Sequence, residues 1–468
     1  MPVVTGGARR TEPAVASTAI TDASDGASVA AGTGPTASRR DGEGFWLAAA
    51  AFLVAMAFST VPTPLYVLYQ RRDHFSTFVV TVVFAVYAVG VVASLLLAGH
   101  VSDWVGRRRV LLPALGFEVI AAVLFLAWPA LPGLVVARFV CGLGVGMVTS
   151  TATAHLRDLH GRSRPGAGTG RFEVVSTVAN LGGLGVGALV SGVLAQDAGF
   201  PLVVPFAVFG GLLLFGAGGL ALVPETVRPA LTRPRYRPQH VSFGHGDRAT
   251  TIVSGAGAFV GFAVFGLFTS VAPGFVATTL HDPGPLLAGV APFVTFGAAA
   301  VAQTVTGRLS LRARMLGGIL AQGSGLVVVA VAMEEANLVA FLVGGGLAGA
   351  GAGLVFKSAL ASFVGAAEPA RRGEAASSLF VLAYLGLIVP VLGIGTTVLF
   401  LRAQTAMLVF VGVLLAILAA VATVTLRPRG AGAALRARSQ WPPWPQVCTH
   451  DERPADEGVT RSGPVHEH

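Results

Sequence analysis

Long apolar runs separated by short polar segments repeat along the chain from residue 46 to residue 426. Twelve are long enough to cross a bilayer as helices: near 46–69, 76–98, 110–130, 133–156, 173–195, 201–222, 250–276, 285–306, 315–333, 337–362, 376–400 and 404–426. A helix needs roughly 20 apolar residues to cross the ~30 Å hydrocarbon layer. Barrel strands would instead show ten-residue segments of alternating hydrophobicity. The pattern therefore predicts an all-α polytopic membrane protein with twelve transmembrane helices. The ends read differently. Residues 1–44 are rich in Ala, Thr, Ser and Gly and carry no apolar run, so a disordered tail is expected there. Residues 427–468 form a second polar tail, also expected to be disordered and given no role.

Composition sharpens this. Of 468 residues, 53% are hydrophobic and only 12% charged, with mean hydropathy +0.72. A soluble protein carries about a quarter charged residues. The net charge is +9, and the only lysine is Lys357. Such a balance can signal nucleic acid, but here the arginines sit between the spans. With both termini cytoplasmic, seventeen arginines fall in inner loops, while Arg71, Arg72 and Arg402 are the only ones in outer loops. The positive-inside bias explains that asymmetry with no nucleic-acid partner. Arg39 and Arg40 precede the first run as in a twin-arginine export signal, but eleven further spans follow, so that run reads as a retained helix. Cys141 and Cys448 make neither a disulfide framework nor a metal pattern. Arginine over lysine, with alanine-rich spans, suggests a GC-rich bacterium and hence its cytoplasmic membrane.

The longest internal loop, residues 224–248, is rich in Pro and Arg and divides the spans six and six, at 45–223 and 249–426. The halves repeat. Gly142-Leu-Gly-Val-Gly-Met-Val148 matches Gly349-Ala-Gly-Ala-Gly-Leu-Val355, and Phe58-Ser-Thr-Val61 matches Phe268-Thr-Ser-Val271. Gly99-His-Val-Ser102 matches Gly307-Arg-Leu-Ser310. Each match joins span n to span n+6, as a duplicated six-helix unit would. Two pseudo-symmetric bundles are expected.

Between spans 2 and 3 lies Gly99-His-Val-Ser-Asp-Trp-Val-Gly-Arg-Arg-Arg-Val110. It resembles the Gly-x-x-x-Asp-x-x-Gly-Arg-Arg/Lys loop of the major facilitator superfamily, with Trp104 where that motif usually has a basic residue. The resemblance implies the superfamily fold and a gating loop. Asp103 would accept hydrogen bonds from a neighbouring helix N-terminus and latch span 2 to span 11 near Gly373–Ala375. Gly99 and Gly106 would allow the turn, and Arg107, Arg108 and Arg109 would hold it on the cytoplasmic side. The loop beyond the sixth span opens Pro224-Glu225-Thr226, a string also found in sugar-porter relatives; a plain helix stop explains it equally.

Arg138-Phe-Val-Cys-Gly142-x-Gly144-x-Gly146 in span 4 is similar to the fourth-helix motif of proton-coupled facilitators, with Cys141 in place of Gln. By that resemblance Arg138 would tune a proton carrier or bind an anion. The bland alternative is an Arg snorkelling to the interface. A central Arg costs ~2.5–3.5 kcal/mol on insertion scales, so it should face a cavity or a partner. Span 5 carries Gly183-x-x-x-Gly187-Ala188-x-x-Ser191-Gly192, similar to an antiporter motif but with Ala188 for its Pro and Ser191 for a Gly; simple helix packing is the alternative.

Glu118 falls near the middle of span 3, as a proton carrier or a neutral acid bonded to a neighbour, with Arg138 at similar depth. Lys357 in span 10 could bind substrate, cycle a proton or snorkel. The two cations together suggest an anionic or zwitterionic substrate. Asn180, Gln303 and Tyr384 could bond substrate or act as interhelical glue. Phe259, Phe262, Phe265 and Phe268 in span 7 follow helical spacing, a pattern that more often faces lipid or core than forms an aromatic drug pocket. Scattered histidines and the lack of a phosphate-cradling loop argue against a membrane enzyme, metal site, cofactor or ATP-driven pump. The expected function is secondary transport of a small molecule by alternating access, as a monomer. Proton-coupled efflux of drug-like or organic-anion substrates leads; uptake symport or uniport of a metabolite is the alternative, with a receptor or scaffold behind it.

Overall fold

The computed structural model describes residues 39–227, 236, 238–239, 241, 247–278, 284–368 and 371–426. The expected tails at 1–38 and 427–468, and most of the linker at 228–246, lie outside the described residues. Among the described residues, twelve helices are long and apolar enough to span a membrane. In the first half these are α1 (Arg39–Asp73), α2 (Thr77–Ala98), α3 (Arg107–Ala127), α4 (Leu131–Ser163), α5 (Gly170–Asp197) and α6 (Val204–Leu222). In the second they are α7 (Arg248–Ser270), α8 (Pro285–Val305), α9 (Leu311–Glu334), α10 (Leu338–Gly365), α11 (Arg372–Thr397) and α12 (Ala403–Leu426). Residues 39–44, expected in the tail, are instead the first turns of α1. Their polarity misleads because a spanning helix extends beyond the hydrocarbon, and Arg39 and Glu43 pair along it at 3.1 Å.

Both leading helices break at matched positions. α1 turns at Val61, between Arg39–Thr60 and Pro62–Asp73, and α7 turns at Val271 before a short helix, Ala272–Thr278. Pro62 and Pro64 have no N–H to return to the carbonyls of Phe58 and Thr60. The Phe58 carbonyl instead accepts from the Val61 N–H at 3.1 Å. The break also leaves the Val61 carbonyl to accept the Ser191 hydroxyl of α5 at 2.7 Å. The Phe58–Val61 and Phe268–Val271 repeat thus marks one bend made twice.

Each half has its own core. One cluster joins α1–α6, with Tyr384, Leu387 and Val391 of α11 packed on it, and the other joins α7–α12. Lipid is as apolar as leucine, so helices associate through close packing rather than the hydrophobic effect, and small residues line the seams. Any Cβ at Gly142 would strike the Tyr87 carbonyl of α2, and one at Gly187 the Ala57 carbonyl of α1. At Gly386 it would strike the Phe259 backbone, and at Gly349 the Thr295 carbonyl. Close contacts on two seams, α5–α8 and α2–α11, join the halves. On the first, a Cβ at Gly192 would lie 2.6 Å from the Pro285 carbonyl and Gly289 abuts the Ala188 carbonyl; on the second, Gly395 abuts the Thr81 side chain. The outer two of these contacts, Gly192–Pro285 and Gly395–Thr81, sit at helix ends remote from the arginine-bearing loops.

These contacts predict a paired result. Gly187→Val should destabilise the detergent-solubilised protein by about 1–3 kcal/mol through overpacking. Gly211→Val, where an added Cβ meets nothing within 4 Å, should change stability by less than about 0.5 kcal/mol. Thermal unfolding midpoints of the two variants check it.

Candidate functional site

A cavity of about 480 Å³ lies between the halves, within the ~300–1,000 Å³ usual for small-molecule sites. It runs from Thr63 at the α1 bend down to Gly99, His100, Asp103 and Arg107 on one half and Gly373 and Ser377 on the other. It therefore reaches the arginine-rich face, while the seams at Gly192, Gly289 and Gly395 hold the halves together toward the opposite one.

Its two walls differ chemically. The first half contributes Ser59 and Thr60 at the α1 bend, Thr149, Ser150 and Thr153 along α4, and Ser176, Thr177 and Asn180 on α5. Asn180 sits in a π-helical turn, Val178–Gly182, a feature that recurs at functional sites. The second half contributes Phe262, Phe265, Phe296, Phe356, Phe380 and Tyr384. Phe262 is the hub, with ring centroids 4.8 Å from Phe356 and 5.3 Å from Tyr384. Phe265 stacks on Phe296 at 4.8 Å. The preference for lipid or core over an aromatic pocket is thus corrected for Phe262 and Phe265. Residues three apart drift about 60° around a helix at each step, so this set cannot share one face. Phe268 is fully buried in the core, whereas Phe262 and Phe265 line the cavity.

Among the expected polar groups, Asn180, Gln303 and Tyr384 line the cavity, and Gln303 Nε2 also donates to the Gly353 carbonyl at 3.0 Å. Arg138 does not line it. Nor does it snorkel: it is 1% exposed. Its Nε donates to the Tyr66 hydroxyl at 2.8 Å and a terminal nitrogen to the Ser59 carbonyl at 2.7 Å. The Tyr87 and Phe84 rings lie 4.9 and 5.9 Å from its guanidinium carbon. Arg138 thus sits one layer behind the wall and braces the α1 bend.

Glu118 is fully buried between α3 and α4 and likewise off the cavity wall. It makes no salt bridge with Arg138; the Cys141 thiol donates to its Oε2 at 3.4 Å, and Oε1 has no partner. Gly144 makes room for it, since a Cβ there would lie 2.8 Å from Oε1. Gly142 and Gly146 pack against α2 and Gly183 and Gly187 against α1, so these are seam residues rather than a pathway. Lys357 Nζ donates to the Gln303 carbonyl at 3.1 Å and also stands off the cavity wall. Neither cation that suggested an anionic substrate reaches the space a substrate would fill.

The 99–110 loop is corrected in one respect. Asp103 accepts from no helix N-terminus here; its exposed carboxylate pairs with Arg107 at 2.5 Å. The cap of α3 is Glu225, whose oxygens accept from the backbone N–H groups of Arg107 at 2.8 Å and Arg109 at 3.4 Å. Gly106 takes φ 122°, and a Cβ there would lie 2.5 Å from Glu225 Oε2, so glycine is required twice over. Arg107 also reaches Asp158 at 3.4 Å, and Arg108 donates to the last carbonyls of α6 at Ala221 and Val223. Pro224-Glu225-Thr226 is more than a helix stop. It carries the anion that a helix N-terminus attracts.

Sequence reasoning missed Gln239. Its N–H donates to the Leu96 carbonyl at 2.9 Å, and its Oε1 accepts from the Ser377 hydroxyl at 2.5 Å, so it bridges α2 and α11 at the cavity mouth. Tyr236 beside it stacks on His100 at 5.8 Å. No spacing rule points to a glutamine in a linker. Thr149, Ser150 and Thr153 were legible as hydroxyls on one helix face.

With that geometry in hand, a model of the Major Facilitator Superfamily matches residues 47–333, more than half of the chain. The chain belongs to the major facilitator superfamily. Among relatives, it is 28% identical over 350 residues to an uncharacterised MFS-type transporter of Burkholderia pseudomallei (strain 1106a), covering 68% of this chain and 77% of that one. It is 29% identical over 227 residues to an uncharacterised MFS-type transporter of Mycobacterium tuberculosis (strain ATCC 25618 / H37Rv), covering 47% of this chain and 35% of that protein. The fold resembles the nucleoside transporter NupG, at TM-score 0.61 and 12% identity over 82% of this chain and 99% of that one. It also resembles a POT family transporter in complex with 5-aminolevulinic acid, at TM-score 0.63 and 13% identity over 82% and 96%. The human organic anion transporter TETRAN aligns at 0.59 and 16% identity over 81% and 99%. The superfamily accounts for the twelve-helix, multi-pass architecture and for a role in membrane transport.

The capping assignment predicts a stability difference within this member of the superfamily. Glu225→Ala should cost about 1–2 kcal/mol as a lost cap at a charged helix end, whereas Asp103→Ala should cost less than about 1 kcal/mol as an exposed pair. Melting curves of the two purified variants check the order.

Proposed function

We propose that this protein is a secondary transporter moving a small organic molecule by alternating access. On this reading the arginine-rich face and both termini are cytoplasmic, and the membrane is a bacterial inner membrane. The observation that carries it is one cavity walled by both halves and reaching one face, with close glycine contacts joining the halves toward the other. Rocking the halves about the bends at Val61 and Val271 would open the joined end and close the mouth. As the mouth closes, Asp103 leaves Arg107 and meets the first turn of α11, where free N–H groups favour a carboxylate. Gln239 already spans that gap, and it holds the two ends in register for the exchange.

Proton-coupled efflux of a drug-like solute is the leading form. Glu118, an acid buried at mid-depth with a free oxygen, carries the proton, and Arg138 holds the α1 bend through the Ser59 carbonyl. Uptake symport or uniport is the second reading. It is favoured by Ala188, which removes the proline of the antiporter-like motif. It is favoured too by the cavity wall, whose sole carboxylate among the described residues is Asp103 at the mouth. A monomer suffices, since one chain encloses the cavity.

Proteoliposomes loaded with candidate drugs and metabolites, with and without a proton gradient, test this. Gradient-dependent movement should occur, Asp103→Asn should slow it about tenfold or more, and Arg138→Ala should abolish it while the protein remains inserted. Unchanged transport in Asp103→Asn would end the latch assignment, and movement of no solute under any gradient would favour a receptor or scaffold.

A further inference from the structure

We infer that the cavity takes an uncharged, planar aromatic solute carrying O–H or N–H donor groups, and disfavours ions of either sign. The inference rests on the transport reading and specifies what its cavity holds. Three independent features of the walls carry it.

The first is shape. Phe262, Phe356, Phe380 and Tyr384 present ring faces and edges from three helices at tilts between 56° and 68°. Mixed orientations of this kind accept a flat ring by stacking and edge contacts.

The second is hydrogen-bond polarity. Hydroxyls on the opposite wall already donate their protons to carbonyls of their own helices: Ser59 to Met56 at 2.7 Å, Thr149 to Val145 at 2.8 Å and Ser150 to Gly146 at 3.1 Å. Thr153 does the same to Thr149 at 3.3 Å. Each hydroxyl so engaged keeps lone pairs for the cavity and has no proton left to give. Along α4 and at Ser59 the wall is therefore a patch of acceptors, and donors on the solute satisfy that patch.

The third is charge. Among the described lining residues, ionisable cationic and anionic groups are confined to His100, Asp103 and Arg107 at the mouth. Arg138 is committed to Tyr66 and Ser59 and covered by Tyr87 and Phe84. An ion entering the aromatic chamber loses its hydration and meets no counter-charge. Ring faces offset only part of that cost for a cation.

The test uses the full chain in nanodiscs at pH 7 and four naphthalene probes of similar size: the diol, its dimethyl ether, the disulfonate and the trimethylammonium derivative. Calorimetry should rank the diol about tenfold or more above each of the other three. Thr149→Val, which keeps the side-chain shape, should weaken the diol about threefold or more and leave the ether unchanged. Phe262→Ala should weaken both, and Phe262→Leu, more conservative for folding, should do so less. Equal binding of the ether, tighter binding of either ion, or no binding of any probe would overturn the inference. Diol-selective binding without transport in proteoliposomes would sink the transport reading and leave this one standing. Transport of an ion without diol preference would do the reverse.

Discussion

Backbone proximity is the constraint on which the rest of the structure depends. Inside a bilayer no hydrophobic force drives one apolar helix onto another, so cohesion comes from contacts made when main chains approach. Glycine is what permits that approach. Gly142 against Tyr87, Gly187 against Ala57, Gly349 against Thr295 and Gly386 against Phe259 fasten the two bundles internally. Gly192, Gly289 and Gly395 fasten one bundle to the other, and two of those three lie well toward one face. The cavity is the space left where such fastening stops. Its position follows from where small residues occur, and its opening to one side follows from their uneven distribution.

The same low-dielectric setting sorts the charges. Arg138 is tolerated at depth because the Ser59 carbonyl beside the bend accepts from it and tyrosines surround it. It pins the bend, the element that a rocking motion would use. Glu118 shares α4 as a neighbour but meets the Cys141 thiol rather than the guanidinium. At the polar boundary the logic changes. Glu225 serves the α3 N-terminus, Arg108 serves the α6 C-terminus, and Arg107 ties Asp103 and Asp158 together. These contacts assemble a rigid floor for the first bundle around the loop at 99–110.

Much of the fold was legible in the chain because run length in a membrane protein is a direct physical requirement. The twelve spans follow from it, and the bend at Phe58–Val61 was visible as a repeat before its meaning was. What lines the cavity was far less legible. Membrane helices are apolar all round, so hydrophobic periodicity does not say which face is inward. Phe262 and Phe268 are alike in sequence, yet one lines the cavity and the other fills the core. Arg138 and Lys357 read as ligands or proton-coupling groups, or as snorkelling cations, because charge in a span suggests a pathway or an interface. Packing put both behind the wall. Gln239 and Glu225 were invisible for a different reason: their roles depend on a linker returning to helix ends more than a hundred residues away.

The central claim is that two rigid halves share one cavity and expose it to one face at a time. Spin labels at Arg109 and Arg312 report the arginine-rich ends of the two halves, and labels at Phe200 and Phe400 report the opposite ends. Distance distributions between each pair, recorded while pH and bound solute are varied, test the claim most directly. Opposed changes are expected, the first pair shortening as the second lengthens. Two pairs that widen together, or that hold one distance under every condition, would contradict it.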